Sequence, residues 1–244
     1  VDWNFGLPTI FEDDNLDFLY TSECNDDASE CTLTQNSGGT ITTDSVLIAV
    51  FEIDNAGGST ILPDELTGIT AVQPTVIIDE DQDGQAELII FGAYEGGLNT
   101  VLDLAGLTGV TGGDAGEGAV AAMYLDDSPN LSIGAGGFPE TSCTSLVECM
   151  QQAGDGDLWQ VDGFGLDPDE YWIATNAQLD TSGVAEGSST DEFGNFNAGL
   201  SILFNGTGVQ LVTNDIECSS AAVDAGLCAN DGKVDLLVGG SIKG

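Results

Sequence analysis

Residues 45–53 read Ser-Val-Leu-Ile-Ala-Val-Phe-Glu-Ile (SVLIAVFEI), and this stretch decides the fold. Only Ser45 and Glu52 interrupt a run of apolar side chains. A short run that is rich in β-branched residues and apolar at consecutive positions predicts a strand buried on both faces of a sheet. Other strand patterns surround it. Leu16, Phe18 and Tyr20 repeat at every second position, and Val1, Trp3, Phe5 and Leu7 alternate with Asp2, Asn4 and Gly6. Strands are also predicted at 75–78, 87–91, 120–124, 171–175, 200–204, 209–212 and 234–238. Between them lie Gly, Asn, Asp, Ser and Thr, the turn formers. With 34 glycines, few stretches suit a long helix; residues 144–152 and 219–227 predict short ones. The expected class is all-β: a β-sandwich or elaborated jelly roll with long Gly/Asp-rich loops and at most two short helices. Residues 1–244 are expected to form one domain, with a weak boundary at 106–118 (GLTGVTGGDAGEG).

Charge narrows the function. The chain has 42 Asp+Glu against 2 Lys+Arg, no His, and a formal net charge of -40. Two lysines cannot form a nucleic-acid footprint, and an anionic membrane surface repels such a chain. Without His, Ser-His-Asp and Cys-His catalysis lose their base, and His-ligated metals are excluded. No arginine is present to clamp a phosphate or carboxylate. So dense a negative surface suits salty water, and bound divalent cations relieve the same self-repulsion.

The six cysteines fall into close pairs, Cys24/Cys31, Cys143/Cys149 and Cys218/Cys228. Six cysteines allow fifteen connectivities, and proximity makes the three local loops the simplest choice. No CxxC is present, and zinc is the rival explanation. Disulfides point to an oxidising compartment outside the cell. A chain opening on Val1 rather than Met reads as one whose export signal has been removed.

One motif is chemically specific. Asp79-Glu80-Asp81-Gln82-Asp83-Gly84-Gln85-Ala86-Glu87 is a DxDxDG loop. Carboxylates at alternate positions turn inward when the backbone curls round a calcium ion, and glycine permits the sharp turn. Asp79, Asp81 and Asp83 are the expected ligands, with the Gln85 carbonyl and Glu87 assisting. An EF-hand needs Glu at its twelfth position, where this chain has Ile90. A second segment, Asp231-Gly232-Lys233-Val234-Asp235, echoes the first without its upstream DxD; Asn230, Asp231 and Asp235 are its weaker candidate donors. Both segments run from an acidic loop into an aliphatic strand and resemble the calcium loops of FG-GAP repeats. Two copies so far apart lack the regular period of a propeller.

Other acids crowd residues 12–17 and 155–172, where the second group is interleaved with Trp159, Phe164, Tyr171 and Trp172. Such a mixture suits a sugar groove or the paired carboxylates of a glycosidase, but in a chain with 42 acids the leading reading is core aromatics beside solvated acids. Asn130-Leu131-Ser132 and Asn205-Gly206-Thr207 match the N-glycosylation acceptor pattern, making Asn130 and Asn205 candidate glycan sites. Residues 234–244 (VDLLVGGSIKG) resemble the C-terminal region of exosortase-sorted (PEP-CTERM type) exported proteins. That resemblance implies an extracellular or cell-surface role in a matrix, layer or filament.

No residue set demands a reaction, so the chain is expected to be a non-enzymatic structural subunit that binds calcium and self-associates. A calcium-dependent carbohydrate-binding or adhesin module is the alternative, with glycans as partners; a two-carboxylate hydrolase ranks third. No nucleic acid and no membrane insertion are expected. Val1, Trp3, Phe5 and Leu7 form a candidate assembly strand. Burying those four side chains is worth roughly 6–12 kcal/mol before ordering costs. They can pair within their own sheet or add to a neighbour's open edge.

Overall fold

The computed structural model describes residues 11–25, 30–36, 38–56, 59–60, 64–107, 118–134, 137–138, 140–165, 167–182, 192–206 and 216–243. The strands are β1 Phe11–Cys24, β2 Cys31–Gln35, β3 Ser45–Ala56, β4 Ser59–Thr60, β5 Glu65–Ile78, β6 Gln85–Ala86, β7 Leu88–Ala93 and β8 Ala119–Asp126. They continue as β9 Asp157–Gly163, β10 Tyr171–Thr175, β11 Ala177–Gln178, β12 Glu192–Asn205, β13 Ile216–Glu217, β14 Lys233–Val234 and β15 Leu236–Lys243. Among the described residues there are three helices: α1 Gly97–Leu104, α2 Leu146–Ala153 and α3 Ser220–Asp224. The class is all-β, as the sequence predicts.

Two long strands organise the sheet. One edge of β5 pairs with β3, from Leu47↔Val72 to Ile53↔Leu66. Its other edge is divided: β8 takes residues 65–70 and β7 takes residues 72–78. β12 is divided in the same way, pairing with β10 over 195–199 and with β9 from Ser201 onward. Since β8 pairs β9 and β7 pairs β10, the six strands β5-β7-β10-β12-β9-β8 close on themselves. The result is two layers that share β5 and β12. β3, β1 and β2 extend the first layer, and β15 extends the second along β12. Pro74 costs β5 a donor, and a register shift between Pro74 and Val76 accommodates it.

Strand alternation sorts the side chains. Val46, Ile48 and Val50 are fully buried with Leu16, Phe18 and Ile69 beneath α1 and α2. The opposite face of β3 carries Leu47, Ala49, Phe51 and Ile53, which line a groove between the layers. The continuous apolar run of residues 45–53 thus has two destinations, a helix-covered core and a groove wall. On the second layer Trp172 and Ala174 point between the layers, while Tyr171 and Ile173 point outward beneath α3.

The two predicted helices are α2 and α3, and both start at a serine cap. Ser145 accepts from the Glu148 N–H, and Ser219 from the Ala222 N–H. The third, α1, exceeds the expected two. Its Leu98, Val101 and Leu102 fall at i, i+3, i+4 and are all fully buried. All three local disulfides are present, Cys24–Cys31, Cys143–Cys149 and Cys218–Cys228. The strand expected at 209–212, residues 108–117 of the expected boundary and the segment Val1–Leu7 lie outside the described residues.

Phe51 lies across the sheet from Gly68, and a Cβ on Gly68 would sit 2.1 Å from the Phe51 ring. Gly68→Ala is expected to cost about 1–3 kcal/mol by overpacking. Thermal melts of Gly68→Ala and of Gly68→Ala with Phe51→Leu check this. The double variant should recover most of the loss; equal melting of both variants would remove the Phe51 contact as the cause.

Candidate functional site

The DxDxDG loop leaves the end of β5 and returns through β6 into β7. Its turns are made by its own carboxylates. The Gly84 N–H donates to Asp79 Oδ2 at 3.3 Å, the Asp83 N–H to Asp81 Oδ1 at 3.3 Å, and the Gln85 N–H to Asp83 Oδ1 at 2.8 Å. The Glu80 N–H donates to Glu87 Oε2 at 3.0 Å, which folds Glu87 back over the loop. Gly84 has φ +86°, a conformation that an L side chain resists.

Three carboxylates converge. Oxygens of Asp79, Asp81 and Glu87 lie within 4.8 Å of one another. Asp79 Oδ1 is shielded from solvent and has no hydrogen-bond partner. A shielded carboxylate oxygen without a donor is costly, and a hard cation with oxygen ligands satisfies it. The residues present therefore fit a divalent cation. Asp83 stands outside the trio, turned onto the Gln85 N–H, and Gln85 lies in β6 opposite Gln178.

The second loop repeats this local structure. Both loops place a glycine at positive φ, Gly84 and Gly232, and follow it with a two-residue strand, a bend at an acid (Glu87 or Asp235) and a longer strand. The Gly84 carbonyl accepts from the Leu179 N–H, and the Gly232 carbonyl from the Cys218 N–H. The Lys233 N–H donates to Asp231 Oδ1, as the Gln85 N–H does to Asp83.

What the second loop lacks in sequence comes from another part of the chain. Asp169, fully buried before β10, accepts from the backbone N–H groups of Asn230, Asp231 and Gly232 at 2.7, 2.7 and 2.8 Å. Desolvation pushes its pKa up, but these donors outweigh it and hold the carboxyl below the usual range. Oxygens of Asp167, Asp169 and Asp231 also lie within 4.8 Å of one another. Sequence reasoning names Asp231 here and misses Asp167 and Asp169, because the pairing spans some sixty residues. Asn230 contributes its N–H to Asp169, and Asp235 is turned toward β12, where its Oδ2 accepts from the Ile202 N–H at 3.0 Å.

The interleaved acids and aromatics of 155–172 do not form one site. Trp159, Tyr171 and Trp172 are buried, and the acids scatter. Asp155 and Asp157 join Asp64, Asp126 and Asp127 around a hollow of about 350 Å³. Asn130 donates from Nδ2 to Asp155 Oδ2 at 2.6 Å, and Asn205 ends β12. Asp162 lines the interlayer groove, where desolvation pushes its pKa up to about 7, against a hydrogen bond from Gln160 and with the charge of Asp235 adding to the rise. Burial likewise raises Glu65 to about 7; its Oε1 has no partner and its Oε2 accepts from the Asn130 N–H.

Comparison with protein-family models, curated proteins and solved structures finds no match to this chain. Among the described residues, no helix is long and apolar enough to cross a membrane.

Proposed function

We propose that this chain is an extracellular structural subunit that self-associates into a filament, layer or matrix, with calcium holding its acidic loops and local disulfides pinning its surface excursions. The observation that carries the proposal is an unfinished sandwich. Among the described residues, the free edges of β1 and β15 converge, unpaired to each other, beside an apolar groove of about 370 Å³. Exposed sheet edges beside apolar surface are templates for another chain. Three disulfides with sequence separations of 6–10 support an oxidising destination.

Asp79, Asp81 and Glu87 would hold the calcium, which supplies positive charge that lets surfaces of a chain at -40 approach. Extracellular calcium modules bind at roughly 10⁻⁴–10⁻³ M, so millimolar calcium is expected to raise the melting temperature and to promote ordered polymers. Asp81→Ala should weaken both effects. Calorimetry and negative-stain microscopy in calcium and in EDTA check this. An identical transition in both conditions would sink the calcium assignment, and a monomer at every calcium concentration would sink the polymer.

Glycan binding is the second reading, favoured by the carboxylate-lined hollow around Asp126 and Asp155, since carboxylates accept from sugar hydroxyls. Glycan-array binding by a monomer that never polymerises would select it.

A further inference from the structure

We propose that the interlayer groove is an acceptor for a second copy of this chain, filled by the donor's Val1, Trp3, Phe5 and Leu7 entering as a strand alongside β15. This rests on the polymer reading and names its contact.

The groove is the unfilled part of the space between the layers. Leu47, Phe51 and Val72 line it from the first layer, and Trp172, Phe196 and Ile242 from the second. Protein interiors hold few voids larger than a water molecule, so apolar walls enclosing about 370 Å³ call for an occupant. The backbone calls for one as well. Among the described residues, β15 is paired along one edge only, to β12, and residues 11–18 of β1 only to β3. Leu237 stands on the rim of the groove, 38% exposed.

A polar marker lies inside. Trp172 is 6% exposed, lines the groove and stacks on Phe196, yet its indole Nε1–H has no acceptor. A buried donor without a partner is costly. A strand carries a carbonyl at every residue, which an apolar small molecule does not.

Chemistry selects the strand. Asp17 and Asp162 are buried in the groove wall, so the occupant must turn no carboxylate inward. In a chain with 42 acids, residues 1–7 offer that pattern: Val1, Trp3, Phe5 and Leu7 on one side, and a single acid, Asp2, on the other. Lengths agree, with seven residues against the eight of β15. The ten residues before Phe11 reach at most about 33–36 Å, enough to leave one subunit and run the length of the next groove. One strand given and one groove filled per subunit makes a head-to-tail contact that repeats.

The experiment uses two full-length variants in calcium. Trp3→Ser with Phe5→Ser disables the donor, and Leu237→Glu disables the acceptor. Leu237→Lys, which lowers the net negative charge, separates a blocked groove from charge repulsion, and thermal melts establish that each variant folds. Sedimentation velocity should find polymers of the natural chain, monomers of each variant alone, and 1:1 dimers, no longer, when donor-dead and acceptor-dead chains are mixed. The Trp172 indole N–H resonance of the donor-dead chain should shift downfield in that mixture. Polymers from the variants as abundant as from the natural chain would overturn the groove assignment and leave the polymer reading standing. A natural chain that stays monomeric, while its Trp172 resonance differs from that of the donor-dead variant, would place the segment in its own groove and overturn both.

Discussion

Asp162→Asn is expected to stabilise the protein at pH 8, by about 2–4 kcal/mol, or roughly 5–10 °C in melting temperature. Asp162 is fully enclosed in the groove wall, and burial raises its pKa to about 7 from an ordinary 3.8. Between those values the folded chain keeps a proton that the unfolded chain has released. The associated stability is complete below about pH 4 and is lost as pH rises through 7. Glu65, raised by the same desolvation, adds a slope of the same sign. Asp169, lowered by its backbone donors, opposes it at the acid end, where its contribution falls away. Asparagine keeps the oxygen that accepts from Gln160 and carries no charge to bury. Melting at pH 5 and pH 8 isolates the effect, because relief of the general repulsion is common to both chains. The gap between natural and variant proteins should widen by about 2–3 kcal/mol from pH 5 to pH 8; parallel curves would mean that Asp162 is ionised at no cost.

Asp169→Ala should be the most damaging single substitution among the acids. It leaves three backbone N–H groups, at Asn230, Asp231 and Gly232, without their acceptor. Part-buried donors stripped of their acceptor cost more than the net worth of the bonds they lose. A fall in melting temperature on the order of 10 °C is expected, measured in EDTA so that no cation contributes. Hydrogen exchange at those three amides should accelerate strongly, while the β3–β5 ladder stays protected. Unchanged exchange there would mean that the loop is held by something else. Asp231→Ala, which takes the acceptor from the Lys233 N–H but leaves the Asp169 carboxylate and its three backbone donors in place, should be milder.

Much of this molecule is legible in the sequence because much of it is local. The β10 strand appears at its predicted bounds, residues 171–175. The cystines pair with near neighbours, and the D-G-x-x-acid segments give the same turn twice because glycine at positive φ and a capping aspartate are written side by side. The misses share one cause, the long-range origin of what stabilises them. The first half of β5 carries Gly68 and ends at Pro74, both poor strand residues, and forms because β3 and β8 pair with it on either side. In β9 the charge of Asp162 conceals a buried strand. The helix α1 was readable from its spacing but is short and begins at a glycine. The trio of Asp167, Asp169 and Asp231 depends on β10 being in place, and no pattern of adjacent residues announces it. The doubly apolar β3 was legible as a strand, but not the use of its second face, because a groove wall and a core face have the same composition.

The spacing of the cystines frees their formation from the fold. Each bridge joins residues 7, 6 or 10 apart, so its thiols meet repeatedly in a chain with no structure at all. Loops of that size close in about 10–100 ns, far faster than a sheet that must bring β5 beside β8 and β12 beside β15 can assemble. Oxidation therefore needs no template from the folded protein. Where an oxidant meets the chain before the sheet assembles, the search proceeds with three small rings already tied and no thiol left to mispair.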